Sequence, residues 1–194
     1  MVRRAGRVKH MNRYPIHTVE SAPDGAKEAL ERLQQVFGRV PNLAATMANS
    51  PPLVNTFVAA FGQFGGARLT AGERQVLLLS NAVANTCSWA VAFHSTMALK
   101  EGIAAADVEA IRRRRLPSEP RLAALSTVTR QLIDKRGHLD DNDTKTFIAA
   151  GFDEIQLFEV ITGVAVSAMA NYAGNVAQPP LEQPFRAQAW ADGY

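Results

Sequence analysis

From Pro23 to Val176 the apolar residues recur at steps of three and four, and nowhere do they alternate over the length of a strand. In the first such stretch Ala26, Ala29, Leu30, Leu33, Val36 and Phe37 keep that spacing, and Gly38 stops it. "VPNLAATMANSPPLVNTFVAAFGQFGG" reads as a short helix, a turn, and a second helix with proline at its first positions that ends at Gly65-Gly66. Thr70-Ala71-Gly72-Glu73 fits a capping box, so a helix is expected from there to about Ala84. Ser88 to Leu99, closed by Gly102, follows, and "AAADVEAIRRRR" makes a shorter helix. A long helix is expected from Arg121 to about Lys135, then one over Thr144 to Ala150 after the turn "RGHLDDND". The last starts at the Asp153 to Gln156 capping pair and reaches about Val176. Such a chain folds as an all-α bundle of about eight helices, and its short connections favour antiparallel neighbours.

With 194 residues, 47% of them hydrophobic, the chain supports one core, and a single domain over 11–194 is expected. The first ten residues, "MVRRAGRVKH", are basic and aperiodic and read as a leader or an expression remnant. Their cations and the run Arg112 to Arg115 hold the excess of 21 basic over 18 acidic residues, a distribution that does not mark a nucleic-acid surface. The arginine run reads as a solvated helix end, and His138 as a turn residue. Polar residues interrupt the most apolar region, so neither a membrane span nor a membrane partner is expected, and no signal segment is seen. One cysteine excludes an intramolecular disulfide and points to the cytoplasm.

That cysteine opens the stretch Cys87-Ser88-Trp89-Ala90-Val91-Ala92-Phe93-His94. On a regular helix Ala90 and His94 are one turn apart, whereas Cys87 lies roughly 10.5 Å from His94 along the axis. His94 can serve position 90 as a base but cannot reach Cys87. A sulfur at 90 would be activated by the imidazole, and Cys87 could resolve its sulfenic acid to a disulfide. Alanine there removes the attacking thiol.

The stretch and its flanks resemble the carboxymuconolactone decarboxylase-like and alkylhydroperoxidase D-like proteins, in particular the peroxidase-related subgroup. The resemblance runs from about Arg13 and rests on three segments in order: "ESAPDGAKEALERLQQVFGRVPNL", "LTAGERQVLLLSNAVANTCSWAVAFHSTMALKEG" and "RGHLDDNDTKTFIAAGFDEIQLFEVITGVAVSAMANYAGNVAQPPLEQPF". It implies the alkylhydroperoxidase D-like bundle, homo-oligomers, no cofactor or metal, and peroxide reduction at an NxCxxCxxxH motif with recycling by an external dithiol. By position, Cys87 matches the resolving cysteine, His94 the histidine, and Ala90 the peroxide-attacking cysteine. The assisting glutamate falls on Gln75, which cannot carry a proton as a carboxylate can. Glu73 lies two residues earlier and fits a cap. Many relatives carry a histidine where this chain has Gly163.

Asn85, at a helix junction, suits a cap as well as a site. Trp89 and Phe93 suit either a packing stripe or an aromatic wall beside a small-molecule pocket, and Asn171 and Tyr172 either line that pocket or fix the last helix. Three functions follow from these readings. The first is a thiol peroxidase, an antioxidant oxidoreductase, impaired at Ala90. The second is a cofactor-free lyase, isomerase or decarboxylase on a small organic acid with His94 as base. The third is a non-enzymatic oligomeric binding protein.

Overall fold

The computed structural model describes residues 14–191, so the expected leader over 1–10 lies outside it. Nine α-helices follow one another among the described residues, with no strand: α1 (Asp24–Phe37), α2 (Asn42–Met47), α3 (Pro51–Gly65), α4 (Ala71–Ala84), α5 (Ser88–Lys100), α6 (Ala105–Arg112), α7 (Pro120–Asp134), α8 (Asp141–Ala149) and α9 (Glu154–Ala177). A 3-10 helix, Gln183–Gln188, closes the chain. The all-α expectation holds, with the 3-10 turn as an addition that the proline-containing tail concealed.

Local chemistry explains most boundaries. Thr70 and Glu73 form the expected capping box of α4, and Asp153 and Gln156 that of α9. α8 begins three residues earlier than the apolar spacing indicates, because Asp140 and Asp143 make a capping box of their own. Proline occupies the first helical positions of α3 and α7, where its missing N–H costs nothing.

α4 is the central helix, packed against α5, α6, α7 and α9, and α9 also crosses α2 and α3. Leu77, Leu79, Val76, Val91, Leu125 and Val160 are among the fully buried side chains of the common core. α9 comes close to its neighbours at Gly163, where an added Cβ would lie 2.8 Å from Leu77 Cδ2 and Phe64 Cε2. The place at which relatives were expected to carry a histidine is therefore packed against side chains of α3 and α4. α9 is also long and apolar enough to span a membrane by length and composition alone.

Arg121 joins three elements at one end. Its Nε donates to Glu73 Oε1 at 2.6 Å, its Nη1 donates to the Gly151 carbonyl at 2.5 Å, and its guanidinium lies 3.7 Å over the Phe152 ring, which stacks on Phe147.

Candidate functional site

The site is built where α4 turns into α5. α4 ends at Asn85, Thr86 takes a left-handed conformation with φ of 51°, and the Cys87 N–H donates to the Ala82 carbonyl at 3.0 Å. Cys87 is thereby the extended N-cap of α5 rather than a residue of its helical face. Its side chain does not follow the azimuth that a continuous helix would give. Ala90 and His94 line one cavity, while Cys87 lines another crevice with Thr86, Gly174, Asn175 and Pro179. Its sulfur lies 2.7 Å from where a Cβ on Gly174 would be, so only glycine leaves room for it there. Burial pushes the Cys87 thiol up, and the amides of Ala90 and Trp89 at the helix N-terminus only partly offset this.

The Ala90 cavity measures about 50 Å³ and is walled by side chains such as Phe37, Phe61, Leu78, Trp89, Phe93 and Val166. That is room for a few atoms. His94 and Ser167 are the polar residues among its lining, and no lysine or arginine is present there. His94 is 9% exposed, and burial pushes its pKa down to about 3. The imidazole is therefore neutral across the physiological range. Gln75 Oε1 lies 3.0 Å from His94 Nδ1. With that oxygen as acceptor the ring proton sits on Nδ1, leaving Nε2 as the free acceptor.

The other sequence-derived candidates divide. Trp89 and Phe93 both line the cavity and stack with centroids 5.2 Å apart, so they form a wall and a packing stripe at once. Glu73 is held in its capping box and by Arg121, away from the cavity lining. Burial works against its charge, but the Thr70 amide and the Arg121 guanidinium outweigh this and hold its carboxyl below the usual range. Asn85 donates to Asn81 Oδ1 at 2.6 Å, and Asn171 donates to the same oxygen at 3.0 Å and to Ser167 Oγ at 3.1 Å. These amides form a row, buried at Asn81 and Asn171 and half-buried at Asn85, that ties the end of α4 to α9. Asn171 Oδ1 has no protein partner among the described residues. Tyr172, one residue on, faces outward.

Four contributors were missed or misplaced by the sequence reading. Ser167 reaches the cavity from α9. Glu182, in the tail, accepts from the Asn42 amide at 2.6 Å and from Trp89 Nε1 at 2.8 Å, while Phe185 packs edge-on against Trp89 and Phe93. Arg112 is no solvated helix end: it donates to Ser95 Oγ and to the carbonyls of Gln188 and Ala189, clipping the tail onto α5 and α6. Capping and periodicity carry no signal for contacts across such sequence distances. Among the described residues no group of three His, Cys, Asp or Glu side chains could hold a metal ion.

Residues 51–131, from α3 into α7, match the carboxymuconolactone decarboxylase family. No curated protein matches the chain. Among solved structures it is similar to the alkylhydroperoxidase AhpD core of a peroxidase-related protein from Ralstonia eutropha JMP134, with a TM-score of 0.78 and 20% identity over 89% of this chain and 93% of that one. A peroxidase-related protein from Silicibacter sp. TM1040 gives a TM-score of 0.74 and 17% identity over 91% and 93%. The debrominase Bmp8 gives 0.70 and 16% over 85% and 90%, and a cysteine-to-alanine variant of it has been solved in complex with 2,3,4-tribromopyrrole. At these identities the likeness speaks for the fold. Residues 51–131 thus carry a carboxymuconolactone decarboxylase family segment, set within a bundle of alkylhydroperoxidase D-like fold.

Proposed function

We propose that this chain is an alkylhydroperoxidase D-like protein whose dithiol peroxide cycle is interrupted at position 90. The observation that carries the reading is that Ala90 shares its cavity with His94, while the chain's one thiol is buried in a different crevice. In the complete cycle a thiolate at 90 attacks a peroxide oxygen and the O–O bond breaks. The leaving oxygen takes a proton and the sulfur becomes a sulfenic acid. Cys87 then displaces water to form a disulfide, which an external dithiol reduces by exchange. Here neither the attack nor its activation by His94 has a sulfur to act on. The test is peroxide consumption with a dithiol reductant. The chain itself is expected to show no turnover above the reductant alone, and Ala90→Cys is expected to gain it. The added sulfur enters the cavity rather than packed core, so the variant is expected to fold.

The free Nε2 of His94 favours a second reading, in which the cavity takes a small uncharged molecule with one donor group. A small organic acid fits less well, since the lining offers no cation and a buried carboxylate would stay unpaired. Asn85, read from the sequence as a cap or a site residue, does not line this cavity. Bmp8 binds a halogenated pyrrole, and the aromatic walls here suit a flat apolar ring, although about 50 Å³ requires the cavity to widen first. Chemical-shift titration with pyrrole and with an equally sized carboxylate separates the cases. Saturable shifts with the carboxylate alone would refute this second reading.

A further inference from the structure

Where the end of α1, the loop before α2, α5 and the 3-10 helix meet, a crevice of about 250 Å³ opens to solvent. Phe37, Phe93, Met97 and Phe185 give it an apolar floor, while Arg39 and Lys100 stand exposed at its rim, and no aspartate or glutamate lines it. Cations elsewhere on the surface find carboxylates: Lys27 meets Asp24, Arg32 meets Glu28 and Lys135 meets Asp140. Arg39 and Lys100 meet none among the described residues. The crevice also adjoins the Ala90 cavity. Phe37, Pro41 and Phe93 line both, and the two rings meet edge to face with centroids 5.7 Å apart, a thin partition whose Phe37 is only half-buried.

We propose that this crevice binds a carboxylate carrying an apolar chain, its anionic head at Arg39 and Lys100 and its tail laid over Phe93 and Met97 toward the Ala90 cavity. Charge and floor choose that chemistry together. The Arg39 guanidinium offers a planar fork and Lys100 a point charge, and neither has to leave another partner to take a carboxylate. Exposed ion pairs contribute little by themselves, so most of the affinity comes from burying the tail. Keeping the head at the rim also avoids the cost of an unpaired carboxylate inside the Ala90 cavity. An amine head would meet two like charges, and an alcohol would leave both cations unused. The segment 1–13 is a poor occupant for the same reason, because Arg3, Arg4, Arg7, Lys9 and Arg13 dominate it. This inference concerns a crevice outside the cavity and holds whether or not position 90 carries a sulfur.

Titration calorimetry of the full chain with hexanoate, octanoate, octanol, octylamine and inorganic phosphate tests it. Octanoate is expected to bind saturably at one site per chain, about tenfold more tightly than hexanoate as two further methylenes are buried. It is expected to bind about fivefold or more tighter than octanol or octylamine, and phosphate, which has no tail, is expected not to saturate at comparable concentrations. Arg39→Gln combined with Lys100→Gln changes two exposed side chains and is expected to bring octanoate down to the affinity of octanol while leaving octanol binding as it was. Lys145→Gln, at an exposed lysine on α8, is expected to leave octanoate binding unchanged. No saturable octanoate binding, no gain with chain length, equal affinity for octylamine, tight binding of phosphate, octanoate binding that survives the double substitution, or an equal loss with Lys145→Gln would overturn it.

Discussion

Ala90 and cysteine differ by one sulfur, and around that position the neighbours retain a form that a sulfur could use. His94 faces the same cavity with Nδ1 tied to Gln75 and Nε2 free. Its neutrality has a measurable consequence. The folded pKa is about 3 against 6.5 for an unperturbed imidazole, so between those values the unfolded chain binds a proton that the folded chain refuses. Stability is expected to fall as pH drops from about 6.5, by about 1.4 kcal/mol per pH unit at most. His94→Gln is expected to flatten that part of the profile, and urea titrations between pH 7.5 and 4.5 check it. An unchanged slope in the variant would mean that the ring is already charged in the fold. Gln75 and His94 were legible as a pair only through the family's motif. The direction of Cys87 was not legible, because it depends on the left-handed Thr86 and the extended cap rather than on helical spacing.

At the scale of elements, the helices were readable because their signals are local. Thr70 with Glu73, Asp153 with Gln156, and the three-and-four spacing all act within a turn or two. The tail was not readable, since Glu182 finds the Asn42 amide and Trp89 Nε1 only after the bundle has formed. Glu182→Ala leaves two donors without their acceptor and is expected to cost about 1–3 kcal/mol. Equilibrium denaturation measures that loss, and Trp89 emission should shift as its indole loses its partner. A loss below a few tenths of a kcal/mol would mean that the tail does not brace the cavity wall. Gly163 makes the corresponding statement for α9. A methyl there meets Leu77 and Phe64, both buried and unable to swing into solvent, so Gly163→Ala is expected to destabilise by about 1–3 kcal/mol. An unchanged denaturation midpoint would show that α9 can move off its neighbours cheaply.

For the whole molecule, the fold supplies a central helix, α4, from which one short turn presents both a buried thiol and a cavity. The bundle class was legible from the pattern alone. That Cys87 opens on a different crevice from Ala90 was not, because it follows from the turn before α5; without a sulfur at 90 its thiol has no partner. The central claim is that the sulfur missing at 90 is what separates this site from a working dithiol peroxidase. Peroxide consumption coupled to a dithiol reductant, measured side by side for the chain and for Ala90→Cys, tests it most directly. The account expects no turnover from the chain and clear turnover from the variant, lost again when Cys87→Ser is added. Turnover by the unaltered chain, or none from a folded Ala90→Cys, would contradict it.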